Sequence, residues 1–281
     1  MKHLKQRKFK NTATLALASL CAAFGIFLLF IILFDVLKNG LGAINWRLFL
    51  EDPAPPVMAD SGGLKSAFLG QGLLTLTAAV IGVPIGILGG TFLAEYGRHK
   101  KISRVISILS DIAVSIPSIV IGTFVYAVMV QPFGSYNGWA GATALAIIIL
   151  PIIIRTTEDM IHLVPWTLRE AAFALGAPYY KVIWGIVYRS AASGIFTGVL
   201  LAIARVAGET APLLFTSFNN SFSDFNMSGP VPSLTVSIYQ YAASPYENWV
   251  SMAWAAALVV TCFVLLLNII GRLTIRLQVK R

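Results

Sequence analysis

The stretch RTTEDMIHLVPWTLREAAFALGAPYYKVIWGIVYRS, residues 155–190, decides how the chain is read. It is a long polar interruption in a mostly apolar chain, and it still carries helical periodicity. Pro165 can open a helix, where its missing N–H costs nothing. Leu168, Ala171, Ala172 and Leu175 then recur at helical spacing to give one apolar stripe. Gly176 ends that stripe, Pro178 follows, and Tyr179, Val182, Ile183, Ile186 and Val187 repeat the period. The pattern predicts two short amphipathic helices hinged at Gly176-Ala177-Pro178, a knuckle suited to docking. Its rival is an amphipathic helix lying flat on a membrane surface.

Around this stretch the composition is that of an integral membrane protein. The 281 residues are 57% hydrophobic and 12% charged, against roughly 25% charged in soluble domains. Cys21 and Cys262 fall in apolar runs without Cys-x-x-Cys spacing, so they read as lipid-facing or packed thiols rather than a disulfide or metal framework. No stretch matches the Gly-x-x-x-x-Gly-Lys-Ser/Thr pattern, which excludes ATP hydrolysis through a P-loop in this chain.

Six apolar runs are long enough, or nearly so, for the roughly 20 residues of a spanning helix. They lie near 13–34, 68–93, 105–130, 139–154, 194–218 and 250–271. The first continues well past Cys21, too far for a signal peptide's apolar core, and bulky Leu20 disfavours a lipoprotein-type cut. It is expected to stay as an uncleaved helix. Gly82, Gly86 and Gly90 put small residues on one face of the second span, where another helix can approach closely, and Pro84 can bend it. The segment 35–66, with Trp46, Pro53, Pro55 and Pro56, reads as an ordered loop. In the last loop Leu234, Ile238 and Tyr241 form a short amphipathic piece.

The net charge of +9 is explained by topology and not by nucleic acid. Lys2, Lys5, Arg7, Lys8 and Lys10, then Arg98, Lys100, Lys101 and Arg104, then Arg155, Arg169, Lys181 and Arg189, and finally Arg272, Arg276, Lys280 and Arg281 make 17 of the 21 Lys and Arg. The opposite loops carry only Lys38, Arg47 and Lys65. By the positive-inside rule both termini and the knuckle are expected in the cytosol, and the basic tails can touch anionic lipid.

Arg205 lies about 11 residues into the expected fifth span, near mid-membrane at roughly 1.5 Å per residue. An isolated Arg there costs about 3 kcal/mol on insertion scales. Glu209 is one turn on and can pair with it. The two read equally as a structural pair or as a cationic lining for an anion. Asp111 in the third span is expected to cap or pair with Arg104 or Arg155.

Two motifs resemble known families. Glu170-Ala171-Ala172 with Gly176 and Ile186 resembles the coupling loop of the membrane subunits of ATP-binding-cassette importers, although Tyr188-Arg189 stands where that family usually carries Leu-Pro. RVAGETAPLL at 205–214 and SIPSIV at 115–120 resemble the phosphate-importer permeases. The resemblance implies an all-α, six-span, type I importer permease of MetI-like fold. The division would be a tail, first helix and external loop over 1–66 and a permease domain over 67–275, with the coupling loop at about 155–190. It implies coupling to an ATPase through Glu170, Ala171, Ala172 and Gly176, and a substrate pathway at Arg205, Glu209 and Thr210. It further implies the smaller of two unlike permease subunits in the bacterial inner membrane, with two ATPase subunits that use the ATP, an extracytoplasmic phosphate-binding protein, and no cofactor or metal on this chain.

A planar guanidinium suits a tetrahedral oxyanion, so sulfate or molybdate is the first alternative cargo. A secondary anion transporter or channel is the next, but inverted internal repeats are not evident. A membrane enzyme is disfavoured, because no His, Cys or carboxylate pair at catalytic spacing lies within a span.

Overall fold

In lipid each backbone polar group needs an internal partner, so long apolar runs become helices. The computed structural model describes residues 2–55, 62–97, 100–222 and 226–279. Pro56, Arg98, Lys280 and Arg281 lie outside the described residues. In chain order the helices are α1 (Lys2–Ala43), α2 (Arg47–Leu50), α3 (Lys65–Thr91), α4 (Lys101–Ser115), α5 (Ser118–Val125) and α6 (Gly138–His162). Then follow α7 (Trp166–Ala174), α8 (Tyr179–Val182), α9 (Tyr188–Val206), α10 (Ala211–Thr216), α11 (Leu234–Ala242) and α12 (Glu247–Val279). Wider π-helical turns extend α3 at Phe92–Tyr96, extend α5 at Tyr126–Val130, and join α8 to α9 at Ile183–Val187.

Among the described residues five rods are long and apolar enough to cross a membrane: Gln6–Ala43, Lys65–Tyr96, Gly138–His162, Tyr179–Val206 and Glu247–Leu273. Lys101–Ser115 and Ser118–Val130 are together long and apolar enough for a sixth, but they are bent by 104° at the break between them. This corrects the expectation of one continuous third helix. Pro117 has no N–H to donate and pushes Ile116 out of the helical region, to φ −71° and ψ 130°. The fifth span also departs from expectation. It starts earlier, at Tyr179, and breaks after Val206, where Ala207, Gly208 and Glu209 make tight turns onto Ile203, Arg205 and Val206. Pro212 then sits in the first turn of α10, where a missing donor is tolerated.

The core is the seam between α3 and α6. Added carbons at Gly82 and Gly86 would come within 2.8 and 2.7 Å of the Ile149 and Ile153 side chains, and one at Gly90 within 2.5 Å of the Ile154 carbonyl oxygen. Glycine is required at the last of these because backbone, not a movable side chain, stands opposite. Leu74, Leu145, Ile149, Ile153 and Leu213 are fully buried there. The long α9 lies on α6 the same way, with Gly194 and Gly198 opposite Met160 and Thr156. Residues 6–35 of α1 are exposed throughout, and the helix meets α12 where Gly40 packs on Trp254 and Leu258.

At one end of the bundle the loop after α10 folds back on α6. Gly138 N–H donates to Gly229 O at 3.0 Å, Val231 N–H to Ser217 O at 3.2 Å, and Asn137 caps α6 by accepting from Ala140 N–H at 2.8 Å. The amphipathic piece with Leu234, Ile238 and Tyr241 is α11, which buries Leu234 and Tyr241 against α12. The segment 35–66 contains the short α2 and the bridge Pro53–Gly62. Cys21 and Cys262 are both exposed on their helices.

Candidate functional site

The knuckle forms at the other end. Helix α7 closes through two capping bonds, Gly176 N–H to Phe173 O at 2.9 Å and Ala177 N–H to Ala172 O at 3.1 Å. That pair of bonds places Gly176 at φ +76°, a left-handed conformation that glycine adopts without penalty. Pro178 then leads into α8 and the π-helical turn after it, where Val182, Ile183 and Val187 are buried. The second helix of the knuckle runs on into α9 without a break, so the absent Leu-Pro does not end it.

Three of the four residues of the apolar stripe of α7 point outward. Leu168, Ala171 and Leu175 are exposed, Leu175 to 89%, and Glu170 and Gly176 are exposed beside them. What α7 buries is Ala172 and, against sequence expectation, Arg169. An exposed apolar ridge flanked by an acid, on a well-capped turn, has the make-up of an interaction surface and not of a core face.

Arg169 is buried because all its donors are used. Nε donates to Glu95 Oε1 at 3.1 Å, and Nη2 donates to the same oxygen and to Ile161 O at 3.2 Å. Nη1 reaches Val164 O at 2.7 Å and Pro165 O at 3.4 Å. Ile161 is in the last turn of α6 and Val164 and Pro165 follow it, so the cation also opposes the negative pole of that helix. Glu95 Oε2 accepts from the Tyr179 hydroxyl at 3.0 Å. The side chains of Arg169 and Glu95 are 5% and 2% exposed. Sequence reasoning missed this cluster. The signal was a lone acid at the end of an apolar run, which only tertiary contact pairs with an arginine 74 positions away.

Arg205 sits in the last turn of α9, not mid-helix. Its Nε stands 3.9 Å from Glu209 Oε1 across the break, with Arg205 53% and Glu209 17% exposed. The crevice beside Arg205 is lined by Val114, Ile116 and Ser118 of the other broken span and by Ile148 and Ile152 of α6. It holds only about 10 Å³, room for about one water. The two interrupted spans meet at their second halves, where Gly122 of α5 packs on Pro212. Thr210 caps α10 through its backbone, accepting from Leu213 and Leu214 N–H, and Thr235 of α11 donates to Glu209 O at 2.8 Å. Asp111 is exposed on α4 with no ion pair to Arg104 or Arg155 among the described residues, and Arg155 pairs instead with Glu158 and Asp159. The bend at Pro117 accounts for this, since it changes the course of the span that was expected to carry Asp111 into the bundle.

Five or six spans, a presented knuckle at one end and two broken spans that meet beside an ion pair have the make-up of a membrane permease subunit. The chain belongs to the family of binding-protein-dependent transport system inner membrane components, whose model matches residues 82–281. It is 51% identical over 271 residues to the phosphate transport system permease protein PstA of Pasteurella multocida, covering 96% of each chain. It is 48% identical to the same-named protein of Haemophilus influenzae over 95% of this chain and 94% of that one. It is 33% identical to the probable phosphate transport system permease protein PstA of Methanocaldococcus jannaschii, over 100% and 99%. Among solved structures, an inward-facing MetNI methionine ABC transporter chain matches with a TM-score of 0.58 at 20% identity, covering 76% of this chain and 94% of that one. That likeness is one of fold, and it bears out the expected MetI-like architecture.

Proposed function

We propose that this chain is the permease subunit of an ATP-driven importer that moves inorganic phosphate across the bacterial inner membrane. The observation that carries the reading is the near full-length similarity to relatives whose names specify phosphate transport. The chain itself makes and breaks no bond and holds no cofactor. Two copies of a separate ATPase subunit use the ATP, a second, unlike permease completes the pore, and an extracytoplasmic binding protein delivers phosphate. Both termini and the knuckle lie in the cytosol, in keeping with the charge count, and the permease domain spans 67–275.

In this reading the exposed ridge of α7 enters a groove on the ATPase. Leu168, Ala171 and Leu175 supply apolar contact, Glu170 supplies a charge at the rim, and Ala172 and Gly176 hold the turn. Arg205, with Glu209 and Thr210, forms part of the anion's path where the two broken spans meet. A guanidinium offers donors in a plane to a tetrahedral oxyanion, and half-helices can reorient about their breaks more readily than an unbroken rod. The crevice of this chain alone is too small for phosphate, which fits a path shared with the second permease.

The test is labelled-phosphate uptake by cells carrying this chain with its partner subunits, with sulfate and molybdate as competitors. Uptake that depends on the chain and resists a hundredfold excess of either competitor supports phosphate as the cargo. Uptake abolished by sulfate assigns the chain to another oxyanion, and uptake that persists without any ATPase subunit overturns the importer reading.

A further inference from the structure

The knuckle is covalently continuous with α6 before it and with α8 and α9 after it, but α3 has no such link. Glu95, in the π-helical turn that ends α3, supplies one. One carboxylate oxygen is held by Arg169 of α7 and the other by Tyr179 of α8, and Arg169 in turn grips the carbonyls of Ile161 and Val164. The end of α3 and the stretch 161–179, distant from it in sequence, therefore converge on one buried carboxylate. The Tyr96 ring packs edge-on against Tyr179 at 5.3 Å, and Phe173 stacks on Tyr179 at 5.9 Å, holding the tyrosine in place. One turn earlier, Thr91 Oγ1 and the Tyr188 hydroxyl share a hydrogen bond of 2.8 Å between α3 and α9.

We propose that Glu95 is the positioning residue through which the knuckle moves the second span. The Glu95–Arg169–Tyr179 cluster makes α7 and the end of α3 one mechanical unit, so a displacement of the docked knuckle is delivered to α3. The glycine seam passes it on, because Gly90 lies against the backbone of α6 with no slack. Packed interfaces of this kind shift between discrete arrangements and do not deform smoothly. A buried carboxylate held by a guanidinium and a hydroxyl suits the task, since the guanidinium cannot move away without leaving a charge unpaired and the hydroxyl cannot leave without costing the carboxylate a hydrogen bond. A surface ion pair would yield to water instead. The inference rests on the proposed coupling role of the knuckle and names the residue that transmits its motion.

The experiment uses the whole transporter reconstituted in liposomes and reads ATP hydrolysed per phosphate imported, together with retention of the ATPase subunit on purification. Glu95→Gln keeps the size and one acceptor but removes the charge. It is expected to retain the ATPase subunit and to hydrolyse ATP while importing at least tenfold less phosphate, so the ratio rises about tenfold. Tyr179→Phe deletes one bond and no charge, and is expected to raise the ratio about threefold in a complex of parental yield. If Glu95→Gln reduces assembly, Tyr179→Phe alone decides. Hydrolysis and import that fall together, with an unchanged ratio, would mean that the cluster only supports folding and would overturn the proposal. That outcome leaves the knuckle's role standing if Glu170→Lys still releases the ATPase subunit. If Glu170→Lys changes neither retention nor import, the coupling reading fails first.

Discussion

Replacing both Arg205 and Glu209 by alanine separates a structural pair from an anion path, and the geometry sets the expected sizes. The two groups are one helical turn apart, 3.9 Å between Nε and Oε1, with the arginine more than half exposed. A pair of that kind is worth about 0.3–0.5 kcal/mol, and less once solvent screening is counted. The double variant should therefore insert, assemble and resist heat like the parent, with a loss well under 1 kcal/mol. Its effect on an anion passing at about 4 Å from the guanidinium is larger, although losing the repulsive Glu209 carboxylate in the same variant offsets part of the loss. A unit charge at that distance contributes up to about 4 kcal/mol at an effective dielectric of 20, which is roughly a thousandfold in rate.

The assay is labelled-phosphate uptake normalised to permease in the membrane, with ATPase activity of the purified complex alongside. We expect a loss of between tenfold and a thousandfold in uptake with normal assembly. Arg205→Lys should keep part of the activity if potential matters most, and little if planar two-point geometry is needed. An Arg205→Ala, Glu209→Ala protein that imports phosphate at the parental rate would refute the path assignment and leave only a surface pair.

Other outcomes follow from the same coordinates. Gly90→Ala should cost about 1–3 kcal/mol of overpacking, because the new methyl meets the backbone of α6. Gly72→Ala, with open space around it, should be neutral or slightly stabilising; thermal unfolding in detergent ranks the two, and equal tolerance would contradict the seam. At Gly176 there is also open space, so a substitution there meets only left-handed backbone strain. Gly176→Val should lose about 1–2 kcal/mol and loosen the ATPase subunit, whereas Gly176→Asn, which tolerates that conformation, should retain it in a pull-down. In a background lacking Cys21 and Cys262, a cysteine at Ser221 should react with an impermeant thiol reagent from outside intact cells, and one at Ala177 only after the membrane is opened. The reverse pattern would invert the topology.

Some of this was legible in the chain alone because lipid restricts the choices so severely. Long uncharged apolar runs must be helices, the uneven Lys and Arg distribution gives an orientation, and Gly176 followed by Pro178 fixes a turn whatever surrounds it. The spacing of Gly82, Gly86 and Gly90 announced a close-packed face, and the neighbour that fills it proved to be α6. Hydropathy could not show that the third and fifth spans are broken, since a run of apolar residues has the same mean hydropathy bent or straight. The prolines at 117 and 212 mark the places, but proline also sits inside unbroken helices here, at Pro84 and Pro151, and surrounding packing decides between the two. The apolar stripe of α7 likewise has the period of a core face, yet most of it points outward, because burial of Arg169 on the opposite face satisfies five donors at once. That satisfaction depends on Glu95, 74 positions earlier. A charge's partner across such a separation is a property of the folded bundle, and no local pattern encodes it.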